Sequence, residues 1–249
     1  MSLSQTKTKS LAGISVAFLL VGLVTGAGIA YVTFQAQLAQ LAGELSTTRK
    51  ELSDTRNELT TLKNEFEKAK APRLPAFAPV NLDPKSSALL LLDFTPPICY
   101  RRTMCNTILP NVQTLLARVR SAGVPVLYTR TPVPEVSNHP DETVITNDKG
   151  ADKFYGTELE NWLKDRQVKT VVITGVATNG AVLYTAFAAS LRGFTVVVAA
   201  DGVASDNDYV QSYTLFQLLN QPGRANPENK PLAPNAVTLS TTALIRFGT

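Results

Sequence analysis

The sequence predicts an α/β domain with an open parallel sheet that helices cover on both faces. Short apolar runs, each of a length that suits a buried strand, alternate along the chain with stretches of helix-forming composition. The apolar runs lie at residues 88–94, 125–130, 169–175, 194–200 and 236–240, and the helical stretches at residues 111–122, 157–166, 181–192 and 208–220. Strands that are apolar on both faces are typical of a parallel sheet between two helical layers. We therefore expect residues 86–249 to form one domain of this class.

The charge and the rare residue types exclude several functions. The net charge of +4 comes from Lys and Arg residues that are scattered along the chain, so we expect no nucleic-acid partner. His139 is the only histidine, which argues against a His-based triad and against a multi-histidine metal site. We expect neither a metal nor another cofactor. Cys99 and Cys105 are the only cysteines, and the sequence leaves open whether they form a disulfide or stay as two thiols.

An apolar block near the N-terminus predicts a transmembrane helix. Residues 11–34 carry no charge, and a bilayer core requires about 20 apolar residues in a row. A cleaved signal peptide is the alternative, but its apolar region is usually only about 7–15 residues long. Lys7 and Lys9 precede the block, and the first charge after it is Glu44. This asymmetry favours a single-pass signal-anchor, with residues 1–10 in the cytoplasm and the rest of the chain outside it, in the periplasm of a bacterium.

Residues 35–71 have a heptad repeat that predicts a parallel coiled coil. The a positions hold Leu38, Leu45, Leu52, Leu59 and Phe66, and the d positions hold Leu41, Thr48, Thr55, Leu62 and Ala69. The g position of each heptad and the next e position carry opposite charges, in the pairs Glu44 with Arg49, Glu51 with Arg56, Glu58 with Lys63 and Glu65 with Lys70. In a parallel coiled coil g meets e of the partner helix, whereas in an antiparallel one g meets g, so this pattern favours a parallel homo-oligomer over an antiparallel one. A lone charged helix is the alternative to a coiled coil.

A proline-rich segment separates the coiled coil from the α/β domain. Residues 72–85 include four prolines, of which Pro72 ends the helix. Such a composition predicts an extended linker, and we expect the globular domain to begin at residue 86.

Residues 171–192 predict a strand, a tight turn and a helix, and this arrangement marks a candidate site. An apolar strand leads into the turn sequence GVATNG, which the helical sequence AVLYTAFAASLR follows. At the carboxyl edge of a parallel sheet such a turn directs the N–H groups of the following helix towards a bound ligand. Asp93 ends the first strand at the same edge, where a carboxylate is costly unless it has a role. The alternative for Asp93 is a cap of the turn that follows it.

The turn and helix resemble the signature of the isochorismatase-like hydrolases, in which Gly-Val-x-Thr-Asn-x-Cys-Val precedes a helix that carries Thr-Ala. The matching residues are Gly175, Val176, Thr178, Asn179, Val182, Thr185 and Ala186. The resemblance covers about residues 86–249 and implies a Rossmann-like fold and a small-molecule substrate. In this family the turn supplies an oxyanion hole, and a Phe-x-Gly-Thr element lies nearby. The implied substrate-binding residues are therefore Val176, Ala177, Thr178, Asn179, Phe154 and Tyr155.

The resemblance also implies catalytic residues. The family has an Asp at the end of the first strand that acts as general acid or base, and Asp93 occupies that position. Its second catalytic residue is a Lys upstream of the Phe-x-Gly-Thr element. Two lysines lie there, Lys149 and Lys153, but the usual spacing falls on Asp148. Lys149 is one residue away and is our first choice, with Lys153 second.

At the position where most of the family has its nucleophilic cysteine, this chain has Ala181. A methyl group cannot attack a carbonyl, so the thiolate route of the amidohydrolase members is absent at this position. Cys99 lies in a different loop without a helix N-terminus to activate it, so we do not expect it to replace the missing thiol. Isochorismatase itself has glycine at this position, and its vinyl-ether hydrolysis requires no covalent intermediate.

Three hypotheses follow from this substitution. The chain is a membrane-anchored hydrolase of an amide- or vinyl-ether-type substrate that works without a cysteine, with Asp93 as general acid or base. Alternatively, it is a catalytically inactive member whose pocket binds a small molecule or a partner, and the coiled coil clusters several copies. In the third hypothesis the alanine was introduced to disable an ordinary cysteine amidohydrolase. No residue selects one substrate among amides, ureas and vinyl ethers.

Overall fold

The N-terminal part of the described chain is one long helix. A computed structural model describes residues 26–70, 72–101, 103–146 and 149–248, and divides the chain into two compact units, one that ends at Lys63 and one that begins at Asn64. Helix α1 (Gly26–Lys70) has 45 residues. Its heptad leucines are exposed, with exposed fractions of 45% for Leu38 and 71% for Leu45. The helical conformation agrees with the heptad pattern, and the association of several copies stays a prediction.

The predicted membrane span lies mainly outside the described residues. Residues 1–25 are not described, and they include the expected cytoplasmic N-terminus and most of the block at residues 11–34. Among the helices that are described, the first of which begins at Gly26, none combines the length and the apolar character needed to cross a bilayer.

The second unit is built on two parallel sheets. The strands are β1 (Val80–Leu82), β2 (Ser87–Leu92), β3 (Val126–Thr129), β4 (Thr143–Ile145), β5 (Thr170–Val176), β6 (Thr195–Ala204), β7 (Val237–Ser240) and β8 (Ile245–Phe247). Six of them form one sheet in the order β4-β3-β2-β5-β6-β7, and β1 pairs with β8 in a second sheet. All the pairings are parallel. The predicted open parallel sheet is confirmed, whereas β1, β4 and β8 were not predicted.

Helices connect the strands. They are α2 (Pro96–Cys99), α3 (Thr103–Ser121), α4 (Leu159–Asp165), α5 (Leu183–Leu191) and α6 (Asp208–Leu219). A five-residue turn, Thr178–Val182, precedes α5, and it is kinked at Gly180, whose φ of −120° and ψ of −106° are not helical. Crossover helices are required here because a parallel pair of strands cannot be joined by a hairpin.

Two apolar cores lie on opposite faces of the six-stranded sheet. The side chains of β2 alternate between them, with Leu90 and Leu92 in one core and Leu89 and Leu91 in the other. This alternation follows from the two-residue period of a strand, and it explains why the run was apolar at every position. Helices α4, α5 and α6 contribute to the first core and α3 contributes to the second.

The expected linker at residues 72–85 is largely part of the domain, so the predicted domain start at residue 86 is too late. Leu74 and Phe77 pack against the first core. The Ala78 N–H donates a hydrogen bond to the Leu239 carbonyl (2.9 Å). Strand β1 then continues along β8, with Val80 opposite Ile245. Prolines tolerate an extended conformation at a sheet edge, and this segment docks there because its apolar residues bury surface on the core.

Candidate active site

A cavity of about 370 Å³ opens at the carboxyl edge of the six-stranded sheet, beside the ends of β2, β3 and β5. Its described lining consists of Asp93, Ile98, Arg130, Lys149, Gly150, Ala151, Lys153, Val176, Ala177 and Ala181. This edge is where ligands bind in open parallel sheets, because the strand ends and the helix N-termini meet there. The volume suits a small molecule.

Asp93 lies directly after β2 in a position that the neighbouring strand fixes. The preceding residue, Leu92, pairs with Thr129 at the end of β3. The Thr129 hydroxyl donates a hydrogen bond to Asp93 Oδ1 (2.7 Å), and the Asp93 N–H donates one to Thr129 Oγ1 (3.0 Å). Asp93 is buried, and its φ of 55° is in the left-handed region, which few non-glycine residues adopt, although Asp is among the types that do so most often.

Lys153 forms a buried ion pair with Asp93. Its Nζ lies 2.8 Å from Asp93 Oδ2 and donates a hydrogen bond to the Gly150 carbonyl (3.0 Å). Only 1% of Lys153 is exposed. The main chain around it is held by α5, because the Lys153 N–H donates to Thr185 Oγ1 (3.1 Å), and that hydroxyl donates to the Ala151 carbonyl (3.3 Å). A lysine this deeply buried requires a partner charge.

The structure places the two candidate lysines differently, and which of them is catalytic stays a prediction. Lys149, the first choice, is exposed at the wall of the cavity. Lys153, the second choice, contacts the carboxylate directly.

Arg130 was missed by the sequence analysis. It follows β3 as Asp93 follows β2, and its φ of 65° is also in the left-handed region. Its N–H donates to the Ile145 carbonyl of β4 (2.6 Å), and its Nε lies 3.9 Å from Asp93 Oδ1. The available signal was its place at the end of the predicted strand 125–130, since the carboxyl ends of adjacent parallel strands meet at one edge.

The turn after β5 forms another wall of the cavity. Gly175 is required by close packing, because a Cβ there would lie 2.7 Å from both the Cβ and the carbonyl oxygen of Leu92. The Val176–Ala177 peptide is cis, and both residues line the cavity. The Ala177 carbonyl accepts hydrogen bonds from the N–H groups of Gly180 (3.0 Å) and Val182 (3.3 Å), which close the turn.

The next residues of the signature have different surroundings. Thr178 is buried, and its hydroxyl donates to Gln211 Oε1 of α6 (2.6 Å), while Gln211 Nε2 donates to the Val203 carbonyl (2.9 Å). Asn179 is exposed. Ala181 is only 4% exposed and its side chain lines the cavity. The turn is therefore anchored through Thr178, whereas Ala181 faces the candidate site.

Four of the six expected substrate-binding residues lie outside the described lining, namely Thr178, Asn179, Phe154 and Tyr155. Phe154 packs in the first core against Phe194, with ring centroids 6.2 Å apart, and the Arg192 guanidinium lies 4.6 Å above its ring. Tyr155 is 67% exposed. The motif that contains these residues positions Lys153 and the loop before it, because the Thr157 hydroxyl donates to the Lys153 carbonyl (2.5 Å).

No thiol is available near the cavity. Cys99 and Cys105 form a disulfide, with their Cα atoms 5.3 Å apart, and the chain has no other cysteine. A disulfide sulfur is not a thiolate nucleophile. Within the described residues, no group of three or more His, Cys, Asp or Glu side chains is placed to hold a metal ion.

Comparisons with known proteins agree with the fold and the motif. Residues 87–226 match the model of the isochorismatase domain. The chain is 36% identical over 67 residues to the uncharacterized isochorismatase family protein YaaI of Bacillus subtilis, and the match covers 27% of this chain and 37% of that protein. It is 30% identical over 169 residues to nicotinamidase 3 of Arabidopsis thaliana, with coverage of 55% and 83%. The crystal structure of a cysteine hydrolase from Pseudomonas syringae pv. phaseolicola superposes with a TM-score of 0.56 at 18% identity, over 69% of this chain and 94% of that chain.

Proposed function

This chain belongs to the isochorismatase family, and we propose that it is a hydrolase that acts on a small amide- or vinyl-ether-type substrate without a cysteine nucleophile. The observation that carries the proposal is the buried Asp93–Lys153 ion pair at the wall of a cavity that Ala181 also lines. A titratable pair in a cleft is typical of acid–base chemistry. The similarity to a nicotinamidase supports an amide as the first substrate class to examine.

Water is the nucleophile in the proposed reaction. For an amide, water adds to the carbonyl carbon while the Asp93 carboxylate accepts its proton. The oxygen of the tetrahedral intermediate lies at the turn of Val176 and Ala177, and Lys153 stabilises the negative charge nearby. Asp93 then returns the proton to the leaving nitrogen, and the C–N bond breaks. The small Ala181 side chain leaves room for the water beside the substrate carbon.

For a vinyl ether the same residues act in the opposite order. Asp93 in its protonated form donates a proton to the terminal carbon of the double bond. Water then adds to the carbon that bears the ether oxygen and gives its proton to the Asp93 carboxylate. Asp93 returns this proton to the ether oxygen as the C–O bond of the adduct breaks, which releases an alcohol and a carbonyl compound. Neither route requires a thiol at the position of Ala181.

The alternative is a catalytically inactive member that binds a small molecule or a partner. The observation that favours it is the same alanine, because the similar crystal structure is that of a cysteine hydrolase and the only two cysteines here are joined in a disulfide. In that case Asp93 and Lys153 hold a ligand without transferring a proton.

An assay of substrate turnover distinguishes the hydrolase from the catalytically inactive binding protein. The purified full chain, Asp93→Asn and Ala181→Cys are incubated with nicotinamide and a panel of small amides, carbamoyl compounds and vinyl ethers, and products are followed by mass spectrometry. We expect turnover by the unmodified chain and its loss in Asp93→Asn, by roughly a hundredfold or more. Hydrolysis that appears only in Ala181→Cys would instead mean that the pocket is kept and the activity is lost.

We also propose that α1 brings several copies together as a parallel coiled coil. The support is the heptad pattern and the exposed apolar side chains along a helix of 45 residues. In a fragment of residues 36–249, Leu45→Lys with Leu52→Lys is expected to reduce the mass measured by light scattering to that of one chain. Ser46→Lys with Ser53→Lys adds the same charge at b positions and is expected to leave the mass unchanged. An equal mass for both variants and the unmodified fragment would contradict the proposal.

Membrane anchoring through residues 11–34 is likewise a proposal, supported by the uncharged block and by Lys7 and Lys9 before it. A tag placed after Thr249 is expected to be digested by protease added outside intact spheroplasts, while a cytoplasmic marker protein survives. Digestion of the tag only after lysis would mean that the orientation is the opposite of the proposed one. Recovery of the tag in the soluble fraction would mean that residues 11–34 do not anchor the chain.

A further inference from the structure

We propose that the outward face of α5 and α6 docks against the same face of a second copy of the chain. The residues of this surface, called the α5–α6 face below, are Tyr184, Phe187, Leu191, Tyr209, Tyr213 and Phe216. The inference rests on one part of the proposed function, which is that α1 joins copies of the chain in a parallel coiled coil. It assigns a second contact between the copies, and its test separates the two contacts.

The α5–α6 face consists of apolar stripes on two neighbouring helices. On α5, Tyr184, Phe187 and Leu191 are three and four residues apart and therefore lie on one side of the helix. Tyr184 and Leu191 are each 54% exposed. The members on α6 have the same spacing, and the rings of its two tyrosines stack with centroids 6.2 Å apart. Because α5 and α6 pack side by side over the first core, the two stripes adjoin.

Charged side chains are missing from the outward sides of α5 and α6, both of which the structure describes in full. Only Asp208, the first residue of α6, is charged in either helix. By comparison, α4 covers the same core and has charges at three of its seven residues, Glu160, Lys164 and Asp165. A surface helix usually has a charged outward side, whereas a helix that is apolar on all sides is typical of a buried position. The α5–α6 face is therefore expected to be covered in the assembled protein.

The lack of charge favours a second copy as the partner. In a two-fold contact the same surface of both copies meets itself, so a charged face would bring like charges together. The α5–α6 face avoids this repulsion. Three of its residues are tyrosines, which are enriched in protein–protein interfaces because the ring is apolar and the hydroxyl remains able to form hydrogen bonds.

The connection between α1 and the α/β domain keeps two copies close together. Helix α1 ends at Lys70, and Leu74 already packs against the first core, which α5 and α6 cover. The chain between these two residues reaches at most about 14 Å, and the helices of a coiled coil pack about 8–10 Å apart. Leu74 of one copy therefore lies within about 40 Å of Leu74 of the next, which is about one diameter of a domain of this size. The domains of joined copies are thus neighbours, and the chain enters each domain on the side of the sheet that has the α5–α6 face.

The size of the α5–α6 face indicates that the contact depends on this connection. Helices of 9 and 12 residues that pack about 10 Å apart present an outward area of roughly 300–400 Å². A stable dimer usually buries about 800 Å² on each partner. The face is therefore too small to join two free domains. It is sufficient where α1 raises the effective concentration of the second domain to about the millimolar range.

Cysteine cross-linking of the full chain in detergent micelles tests the inference. Leu191→Cys and Tyr213→Cys each place a thiol in the α5–α6 face, while Ala117→Cys places one at an exposed position of α3, over the other core. The native cysteines do not interfere, because they are joined in a buried disulfide. We expect a short bismaleimide to join two copies about tenfold or more faster through position 191 or 213 than through position 117. Leu59→Cys, at an a position of the heptads, reports the coiled coil independently.

Charge substitutions assign the cross-link to the α5–α6 face. Tyr184→Glu with Tyr209→Glu is expected to slow the cross-linking about tenfold, and Tyr184→Lys with Tyr209→Lys to do the same, because each variant brings like charges together. Coexpression of the two variants with tags of different mass is expected to restore the cross-link in mixed pairs. Ala117→Glu with Ser121→Glu adds charge at exposed positions of α3 and serves as the control. Circular dichroism melting checks that each variant is folded.

Two results would overturn the inference. One is that neither Leu191→Cys nor Tyr213→Cys cross-links faster than Ala117→Cys, and the other is that the cross-link persists in both charge variants. If Leu59→Cys alone cross-links, the coiled coil forms, and lipid or another protein covers the α5–α6 face instead. If only the cysteines of the face cross-link, the docking face is retained and the coiled coil is contradicted.

Discussion

The ion pair between Asp93 and Lys153 gives the sharpest prediction about the stability of the site. We expect Asp93→Asn and Lys153→Met each to destabilise the domain strongly, and the double variant to be much less destabilised than the sum of the two. Each single change removes the charge 2.8 Å from the group that remains, whereas the double change removes both charges. The difference between the double variant and the sum is the coupling free energy of the pair.

The magnitude follows from the distance and the burial. Two unit charges 2.8 Å apart attract by about 6 kcal/mol at an effective dielectric constant of about 20, and desolvation of both groups offsets part of this. Removal of one partner of a buried pair typically costs about 3–5 kcal/mol. We therefore expect single costs of about 3–5 kcal/mol and a coupling free energy of about 3 kcal/mol. Thr129 and Gly150 continue to bond the remaining groups, which is why the coupling is below the full Coulomb attraction.

The assay is urea denaturation followed by the fluorescence of Trp162, the only tryptophan, which is 8% exposed and therefore reports the unfolding of the domain. The matched control is the pair Glu228 and Lys230, which is 3.0 Å apart but exposed by more than two thirds on both sides. Its cycle, Glu228→Gln with Lys230→Met, is expected to give a coupling of at most about 0.5 kcal/mol. A coupling below about 1 kcal/mol for Asp93 and Lys153 would mean that they do not form the buried pair on which the proposed chemistry depends.

Two further predictions concern the scaffold. Gly175→Ala is expected to lower the free energy of unfolding measured in urea by about 3 kcal/mol or more, because the added Cβ would overlap Leu92 at the wall of the site. In the control Gly123→Ala the added Cβ meets no atom within 4 Å, and we expect a loss of about 1 kcal/mol because of the positive φ. Equal losses for the two variants would refute the packing argument. Burial raises the pKa of Glu142, but hydrogen bonds, chiefly from the Arg120 guanidinium, outweigh it and hold the pKa below its usual value. The stability that this carboxylate contributes is present at neutral pH and is lost as the pH falls through its lowered pKa. Glu142→Gln is therefore expected to flatten the acid side of the stability curve below the usual glutamate pKa of 4.5.

The sequence was sufficient for five of the six strands of the larger sheet and for one residue of the ion pair. Strands that are buried on both faces have an apolar residue at every position, so β2, β5 and β6 were evident from composition alone. The position of Asp93 directly after such a strand left a turn cap as an equal alternative, and the resemblance to the isochorismatase-like signature selected it as a site residue. The strand predictions depend only on residues that are close together in the chain.

What the sequence did not predict depends on contacts between distant segments. The choice of Lys153 over Lys149 is set by the path of the loop, which Thr185 fixes from α5 across 32 positions of the chain. The docking of β1 depends on β8, near the other end of the domain. Spacing along the chain places a lysine within a loop, but it does not determine which lysine the loop turns inwards.

The buried ion pair and the alanine at the same cavity point to opposite conclusions, and physical reasoning decides how to weigh them. A buried ion pair generally adds little net stability over a well-packed apolar pair of similar size, so stability alone does not account for Asp93 and Lys153. Both strand ends beside the cavity, at Asp93 and Arg130, also hold left-handed conformations that cost roughly 1–3 kcal/mol each. Four other non-glycine residues of the described chain, none of which lines the cavity, also have a positive φ, so the buried ion pair is the stronger sign of a retained site. The alanine removes one chemical route, whereas the charges and the conformations around it keep a site for a small polar molecule. Binding is thus the property that the geometry supports first, and turnover by Asp93 is the further step that Asp93→Asn tests.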